Sequence, residues 1–595
     1  MSGAAPDFML PRKGWRAGLC LLASLVLCGA RAEEPLLEYR VEGVDGALRE
    51  NVEAWLGEAP QSPSARANLV AGARERINRS LEALGYYRAD IDLSLDRERE
   101  PWQLTVRIDP REPVRIRELS LAVTGEAAED PAFQRFRETL PLSEGEVFHH
   151  GEYQSMKNAL LTLGQRRGYF DARLQRHRVE VEATGGSADI DLLYASGTRY
   201  RFGAIQQEPA DLLAVRHRQA LQPFEQGEPF SLEALQTFQS RLQRTGYFSG
   251  ITLRPELDER SDGEIPLRLE LFPAPRHSID VGLGYSTDTE ERVSMVWRTP
   301  RINRYGHSQE TRLEYSAVNP SGRVTWNIPL THPLDDVLQL RARVEENEFG
   351  DLDSRQQELA VRREQRSGEW VRSLSLRFLN ERWDADPVRG NEDYLLPGIS
   401  LAHKWREGPL VNPERGFSQY YSLEGASESL GGTLDLVRLH ARWVHVMSFG
   451  DRHRVVSRAE AGAVYLDEED RDRLAPSLGF FAGGSQSLRG FAYQSIGNPL
   501  PVMTRDGQPR DIVLGGDRLL LGSLEYQYRV RPDWRLAVFS DVGDAFNEGE
   551  LDLNYALGTG LHYLTPVGAL KLEVARSLSK DQPGWRLHIN IGAEF

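Results

Sequence analysis

The side chain with the sharpest chemical character stands late in this 595-residue chain, where Arg489 lies among Gly483, Gly484 and Gly490 and beside Phe491 and Tyr493. A guanidinium is a rigid fork that stays charged at any relevant pH and suits a carboxylate through paired hydrogen bonds. The glycines permit turns and close backbone approach, and the two rings can anchor a loop tip against a wall. Standing alone, such a motif reads more plainly as a solvent-facing loop, so its meaning depends on what surrounds it.

Other chemistry is poorly supported. His149 and His150 offer imidazoles without a placed third ligand, and the acidic run Tyr465–Leu474 lacks the glycine and spacing of an EF-hand. There is no HExxH and no Gly-x-Ser-x-Gly elbow, and the two cysteines, Cys20 and Cys28, both fall in the leader-like segment. The expectation is a protein that is not an enzyme, with no catalytic residues, no cofactor and no metal.

The elements that must hold the arginine follow from texture. Arg12, Lys13 and Arg16 precede an apolar run from Leu19, and Ala30-Arg31-Ala32 offers small residues around a cleavage point, so residues 1–32 read as a secretory signal peptide. Its removal takes away four basic and one acidic side chain and moves the formal charge from −16 to −19. That balance argues against nucleic acid as a partner. No later stretch is apolar for the ~18 residues a spanning helix needs, which leaves an exported soluble protein or a transmembrane barrel.

Residues 35–275 repeat imperfectly. Gly-Tyr recurs at 85–86, 168–169 and 246–247, each time after a helix-like stretch and before an alternating one. Gly-Glu-x-Phe recurs at 145–148 and 227–230. Glycine can end a helix in the left-handed conformation and the aromatic can pack beneath a sheet. The period predicts three α+β modules, each strand, helix, helix, strand, strand: residues 33–111, 112–193 and 194–275.

From about residue 276 the helical pattern disappears and alternation persists to residue 595. Ile279, Val281, Leu283 and Tyr285 share one face; Leu338, Leu340, Ala342 and Val344 oppose Gln339, Arg341, Arg343 and Glu345; Trp585, Leu587, Ile589, Ile591, Ala593 and Phe595 oppose Arg586, His588, Asn590, Gly592 and Glu594. Apolar faces toward lipid and polar faces toward a watery lumen describe a transmembrane β-barrel, and closure keeps backbone groups paired in hydrocarbon. The turns alone permit 14, 16 or 18 strands.

Taken in order, WRTPRINRYGH at 297–307, GGSQSLRGF at 483–491, FSDVGDAF at 539–546 and GTGLHYLTPVGALKLEVARSL at 558–578 resemble the outer-membrane insertase superfamily, and within it the TamA family. The resemblance implies three polypeptide-transport-associated (POTRA) domains in the periplasm, then a 16-stranded antiparallel barrel in the outer membrane of a Gram-negative bacterium. It implies that the sixth extracellular loop folds into the lumen and that Arg489 meets Asp541 of Phe539-x-Asp541-x-Gly543, with Asp544 a nearby rival. It further implies a lateral seam between the first and last strands, approximately Ser278–Tyr285 against Trp585–Phe595, with Ile279, Val281, Gly282, Gly284, Trp585, Gly592 and Phe595 on it. The implied function is assembly of autotransporters and other barrel proteins, with a TamB-like inner-membrane-anchored partner and contact with outer-membrane lipid. A two-partner secretion pore shares the barrel and loop but typically has two modules, and an outer-membrane enzyme is the more remote alternative.

Overall fold

The computed structural model describes residues 35–409, 412–503, 509–566, 568–579 and 583–592. The segment 1–32, expected to be a signal peptide, and the terminal Phe595 lie outside the described residues. Among those described, no helix is long and apolar enough to cross a membrane.

Residues up to Arg199 form one compact unit and those from Tyr200 a second. The first unit holds two modules. In module one, β1 (Leu37–Glu42), α1 (Gly46–Leu56), α2 (Pro63–Ala83), β2 (Asp90–Asp96) and β3 (Trp102–Asp109) make a sheet of order β1-β3-β2. In module two, β4 (Arg115–Thr124), α3 (Pro131–Glu138), α4 (His150–Arg167), β5 (Arg173–Glu182) and β6 (Ser187–Ala195) make β4-β6-β5. The local causes are legible. Ser62 accepts the Ala65 N–H and precedes Pro63, a residue suited to a first helical turn. Leu69, Ala73, Ile77 and Leu81 then recur every four residues, so one face of α2 is buried in the module's core. Truncating Ile77 there to alanine would cost about 2–5 kcal/mol.

The repeated Gly-Tyr pairs have one backbone role and three side-chain roles. Gly85, Gly168 and Gly246 all have φ between 71° and 92°, the left-handed region that ends a helix cheaply only for glycine. Tyr86 packs half-buried on the core of module one. Tyr169 is buried and donates to Asp130, which also caps α3. Tyr247 belongs to module three.

The second unit opens with module three: β7 (Arg201–Glu208), α5 (Val215–Leu221), α6 (Leu232–Arg244), β8 (Phe248–Pro255) and β9 (Glu264–Pro273), of order β7-β9-β8. The sheet that follows has sixteen antiparallel strands. They are β10 (Ser278–Ser286), β11 (Glu290–Thr299), β12 (Ser308–Ser316), β13 (Ser321–Pro329), β14 (Asp336–Phe349), β15 (Leu352–Ser367), β16 (Trp370–Ala385), β17 (Val388–Glu407), β18 (Arg415–Ala426), β19 (Leu436–Phe449) and β20 (His453–Leu466). A hairpin of β21 (Asn498–Met503) and β22 (Pro509–Leu514) interrupts them before β23 (Arg518–Arg531), β24 (Trp534–Phe546), β25 (Asn554–Thr565), β26 (Gly568–Ser577) and β27 (Gly584–Gly592).

Leu283, Val361, Leu374 and Leu524 are exposed on the outer face, while Gln356, Glu358, Glu381, Glu525 and Gln527 are buried on the inner one. The expectation of a polar lumen holds only for part of its height. Inner-face Leu379, Trp383, Tyr394 and Leu396 form an apolar core with Leu478, Phe480, Leu488, Phe491 and Ile496 of the segment between β20 and β23. The reason is that the long loop returns inside the barrel and brings its own apolar side to bury against the wall.

Candidate functional site

The long β20–β23 connection places Arg489 against β23, β24 and β26, with only 2% of the residue exposed. Strand alternation turns Ser523 and Glu525 of β23 and Phe539 and Asp541 of β24 inward. Register sets Ser523 opposite Asp541 and Glu525 opposite Phe539. The arginine Nε donates to Asp541 Oδ2 at 2.8 Å and Nη2 to Oδ1 at 2.7 Å, the bidentate geometry that a planar fork favours. The Arg489 backbone N–H adds a third donor to Oδ2 at 3.1 Å. Nη1 lies 2.6 Å from Glu525 Oε2 and 3.3 Å from Glu573 Oε1. Ser523 accepts from Nη2 and donates to Asp541 Oδ1. Beneath the guanidinium, its carbon is 3.3 Å from the centroid of Phe539, a cation–π stack.

The charges are dense and desolvated. Asp541, Glu525 and Glu573 are all buried. Arg458 approaches Glu525 at 3.7 Å and His562 Nε2 lies 3.0 Å from Glu573, so the arginine is not the carboxylates' sole counterweight. Glu525, His562 and Glu573 bring ligand-type atoms within 4.8 Å of one another, but the guanidinium already supplies the cation between the two carboxylates. The arrangement fastens a loop, with the Ser523 hydroxyl and the Arg489 guanidinium both spent on Asp541.

The loop's own geometry explains its composition. Gly483 has φ 107°, and Ser487 closes its turn by accepting the Gly483 N–H and donating to the Gly483 carbonyl. A Cβ on Gly490 would stand 2.8 Å from both the Ala556 Cβ and the Ser577 nitrogen, so only glycine lets the backbone lie this near the wall. Gly484 N–H donates to the Phe491 carbonyl, Phe491 is buried in the plug, and Tyr493 packs beside Gly484. Gly543 lies on β24 opposite Leu521. Asp544 is elsewhere, accepting the Asp552 N–H in the next loop.

The profile of the Omp85 superfamily domain matches residues 277–595. The chain belongs to the Omp85 superfamily. Residues 38–110 of this Omp85 protein also match the profile described as POTRA domain, TamA domain 1. It is 21% identical over 377 residues to the outer membrane protein assembly factor BamA of Nitratidesulfovibrio vulgaris, covering 60% of this chain and 46% of that relative. The chain thus spans about half the length of that relative. The structure of BamA from Haemophilus ducreyi lacking POTRA domains 1–3 superposes with a TM-score of 0.69 at 15% identity, over 80% of this chain and 99% of that one. The Omp85 barrel sits in the outer membrane, with the modules in the periplasm.

Orientation then assigns the β10–β11 turn to the outside and the β11–β12 connection, residues 300–307, to the periplasmic side. Module three grips that inner turn: Tyr247 donates to the Gly306 carbonyl at 3.0 Å, Ala214 N–H to Arg304 O at 2.9 Å, and Arg216 stacks over Tyr305. Tyr247 of the third repeat and the RINRYGH segment are therefore two halves of one joint.

The ends of the sheet are β10 and β27. Ladders run β10–β11 and β26–β27, but none joins β10 to β27 among the described residues. The expected seam sets Ser278–Tyr285 against Trp585–Phe595, and residues 593–595 of it lie outside the described ones; among those described, the two strands meet by side chains at the outer end of β10. Ser286 donates to Asn590 Oδ1 at 2.9 Å, and His588 lies by Thr287 and Asp288. Below that point Ile279, Val281 and Leu283 of β10 are widely exposed, Leu283 by 83%, and above it Trp585 of β27 is exposed as well. Gly282 and Gly284 sit opposite Ser294 and Arg292, and Gly592 opposite Ala569, so these glycines belong to ladders on the side away from the seam.

Sequence reasoning singled out Arg489 and Asp541 but not Ser523, Glu525, Glu573, His588 or Asp288. Alternation alone puts Ser523, Glu525 and Asp541 on inner faces. Their common height depends on hairpin stagger, which carries no short sequence signal.

Proposed function

We infer that this Omp85 protein is a noncatalytic assembly factor that promotes insertion or translocation of autotransporters and other barrel proteins through the seam between β10 and β27. One observation carries the reading: two strand edges lie beside lipid with no backbone ladder between them among the described residues. An unpaired edge in hydrocarbon is costly, and an incoming strand relieves that cost by adding to it. The apolar plug occupies part of the outer lumen, which favours a route at the wall over one along the axis. The short seam strands also favour local thinning of the bilayer beside them. The match of residues 38–110 supports the TamA-type assignment and, with it, a TamB-like inner-membrane-anchored partner docking on module one.

The test is a reversible lock. Ser286→Cys with Asn590→Cys joins the side chains that already meet, and no cysteine follows Cys28 to confuse the chemistry. Oxidation should halt client assembly in envelopes and reduction should restore it. Undiminished assembly by the fully oxidised protein would refute the lateral route. Recovery of one secreted passenger threaded through the lumen would turn the assignment to a two-partner secretion pore.

A further inference from the structure

The plugged loop also touches both sides of the seam, through backbone groups distinct from the Arg489 guanidinium. On the β10 side, Asp288 in the first outer turn accepts the Ser485 N–H through Oδ2 at 2.8 Å. On the β27 side, His588 Nε2 lies 2.6 Å from the backbone carbonyl of Arg489. A carbonyl only accepts, so Nε2 carries the proton and donates. The other ring nitrogen faces the first turn, 3.4 Å from Thr287 Oγ1 and 3.6 Å from Asp288 Oδ1. The His588 and Asp288 side chains are only 4% and 9% exposed. Five consecutive loop residues, Ser485 to Arg489, thus bridge the two strand edges that no backbone ladder joins.

From this juxtaposition we propose that Asp288 and His588 are positioning residues that latch the outer end of the seam, and that the latch is complete only while the Arg489 loop is docked. The loop is the middle member of the latch, since each seam residue holds a backbone group of it. The coupling is reciprocal: undocking Arg489 removes the carbonyl that His588 donates to, and removing His588 takes a hydrogen bond from the docked loop. Ser286 and Asn590 add one direct bond across the seam but do not touch the loop in this way. The proposal rests on the lateral-seam reading for its use, but not for its geometry.

The experiment measures the seam itself. Spin labels on Tyr285→Cys of β10 and Ile591→Cys of β27, both exposed and each one residue from the Ser286–Asn590 contact, report their separation in the full chain reconstituted in nanodiscs. The otherwise unchanged protein should give one narrow distance. His588→Ala, Asp288→Ala and Arg489→Ala should each add a population longer by at least one strand spacing, about 4.8 Å. His588→Gln keeps an amide donor and should lie between. Heat-modifiable migration on gels verifies that each barrel is folded, and any variant that fails it is replaced by its conservative counterpart, His588→Gln, Asp288→Asn or Arg489→Lys. Unchanged distances in all folded variants would overturn the latch, as would a response to His588→Ala without one to Asp288→Ala. The lateral-seam reading fails separately: if the seam widens in these variants while the oxidised Ser286–Asn590 lock leaves client assembly intact, the latch stands and the lateral route does not.

Discussion

Replacing Arg489 by alanine strips three buried carboxylates of their shared cation and leaves Phe539 facing an empty space. The lost contacts are the bidentate pair with Asp541, the 2.6 Å bond to Glu525, the 3.3 Å approach to Glu573 and the ring stack. Breaking a buried ion pair by removing one partner costs about 3–5 kcal/mol. Spent on the docked loop alone, that raises the fraction of time the loop is undocked by roughly 150- to 4,000-fold. Arg489→Lys keeps the charge but loses the fork, so about 1.5–3 kcal/mol is expected. Asp541→Asn should cost less than the alanine change, because Glu525 and Glu573 still hold the guanidinium. Hydrogen exchange of residues 483–495 in nanodiscs reads the opening equilibrium directly, with amides of β15 and β16 as an internal control. The expected ranking is Arg489→Ala above both conservative changes. Protection within threefold of the unaltered protein in Arg489→Ala would refute the claim that the buried pair holds the loop.

Three further outcomes follow from named contacts. Phe539→Leu removes the ring under the guanidinium and should cost about 0.5–2 kcal/mol of loop docking, seen as a two- to thirtyfold loss of protection in the same exchange experiment. Tyr247→Phe deletes the buried hydroxyl that meets the Gly306 carbonyl; about 1–3 kcal/mol should be lost from the joint of module three with the barrel, and a label pair across that joint should show a broader distance. In module two, burial opposes the charge on Asp130, yet the Ala132 N–H, Arg167 and the Tyr169 hydroxyl together hold its carboxyl below the usual range. A depressed folded pKa means the stabilisation is present above the unfolded carboxylate value of about 4 and fades as pH falls through the folded one. Exchange protection of α3 and α4 should therefore decline in acid below that point. Asp130→Asn should be less protected at pH 7 and flatter in acid; an unchanged acid profile would remove Asp130 from the account.

Much of this architecture was open to reading because membranes and modules impose simple periods. The two-residue alternation of Leu338, Leu340, Ala342 and Val344 against Gln339, Arg341, Arg343 and Glu345 is demanded by lipid on one side. The Gly-Tyr repeat is demanded by the left-handed end of a helix. What stayed hidden depends on stagger and on return paths. Glu573 lies far in sequence from Arg489, and only the register of β25 and β26 raises it to the same height. The apolar residues Leu478, Phe480 and Leu488 look unsuited to a watery lumen until their partners Trp383 and Tyr394 are known. Pairing at the seam is hidden for the same kind of reason: alternation tells which side of a strand meets lipid, not whether its edge finds a neighbour. The hairpin of β21 and β22 inside the loop, with Pro499 and Pro501 in its first strand, carries too little regular pattern to be seen in advance.

The apolar core shared by the returning loop and the inner wall has an electrical consequence. A sixteen-stranded wall without such a plug is wide enough to enclose an aqueous channel that conducts ions. Here Leu379, Trp383, Tyr394, Leu488 and Phe491 pack into one buried apolar cluster in the outer part of the barrel, and close-packed apolar side chains leave ions no hydrated path. A single reconstituted barrel should therefore carry little current, with brief openings whose frequency rises when Arg489 or Phe539 is replaced. The cell can thus keep a wide barrel in its outermost membrane without making that membrane leak.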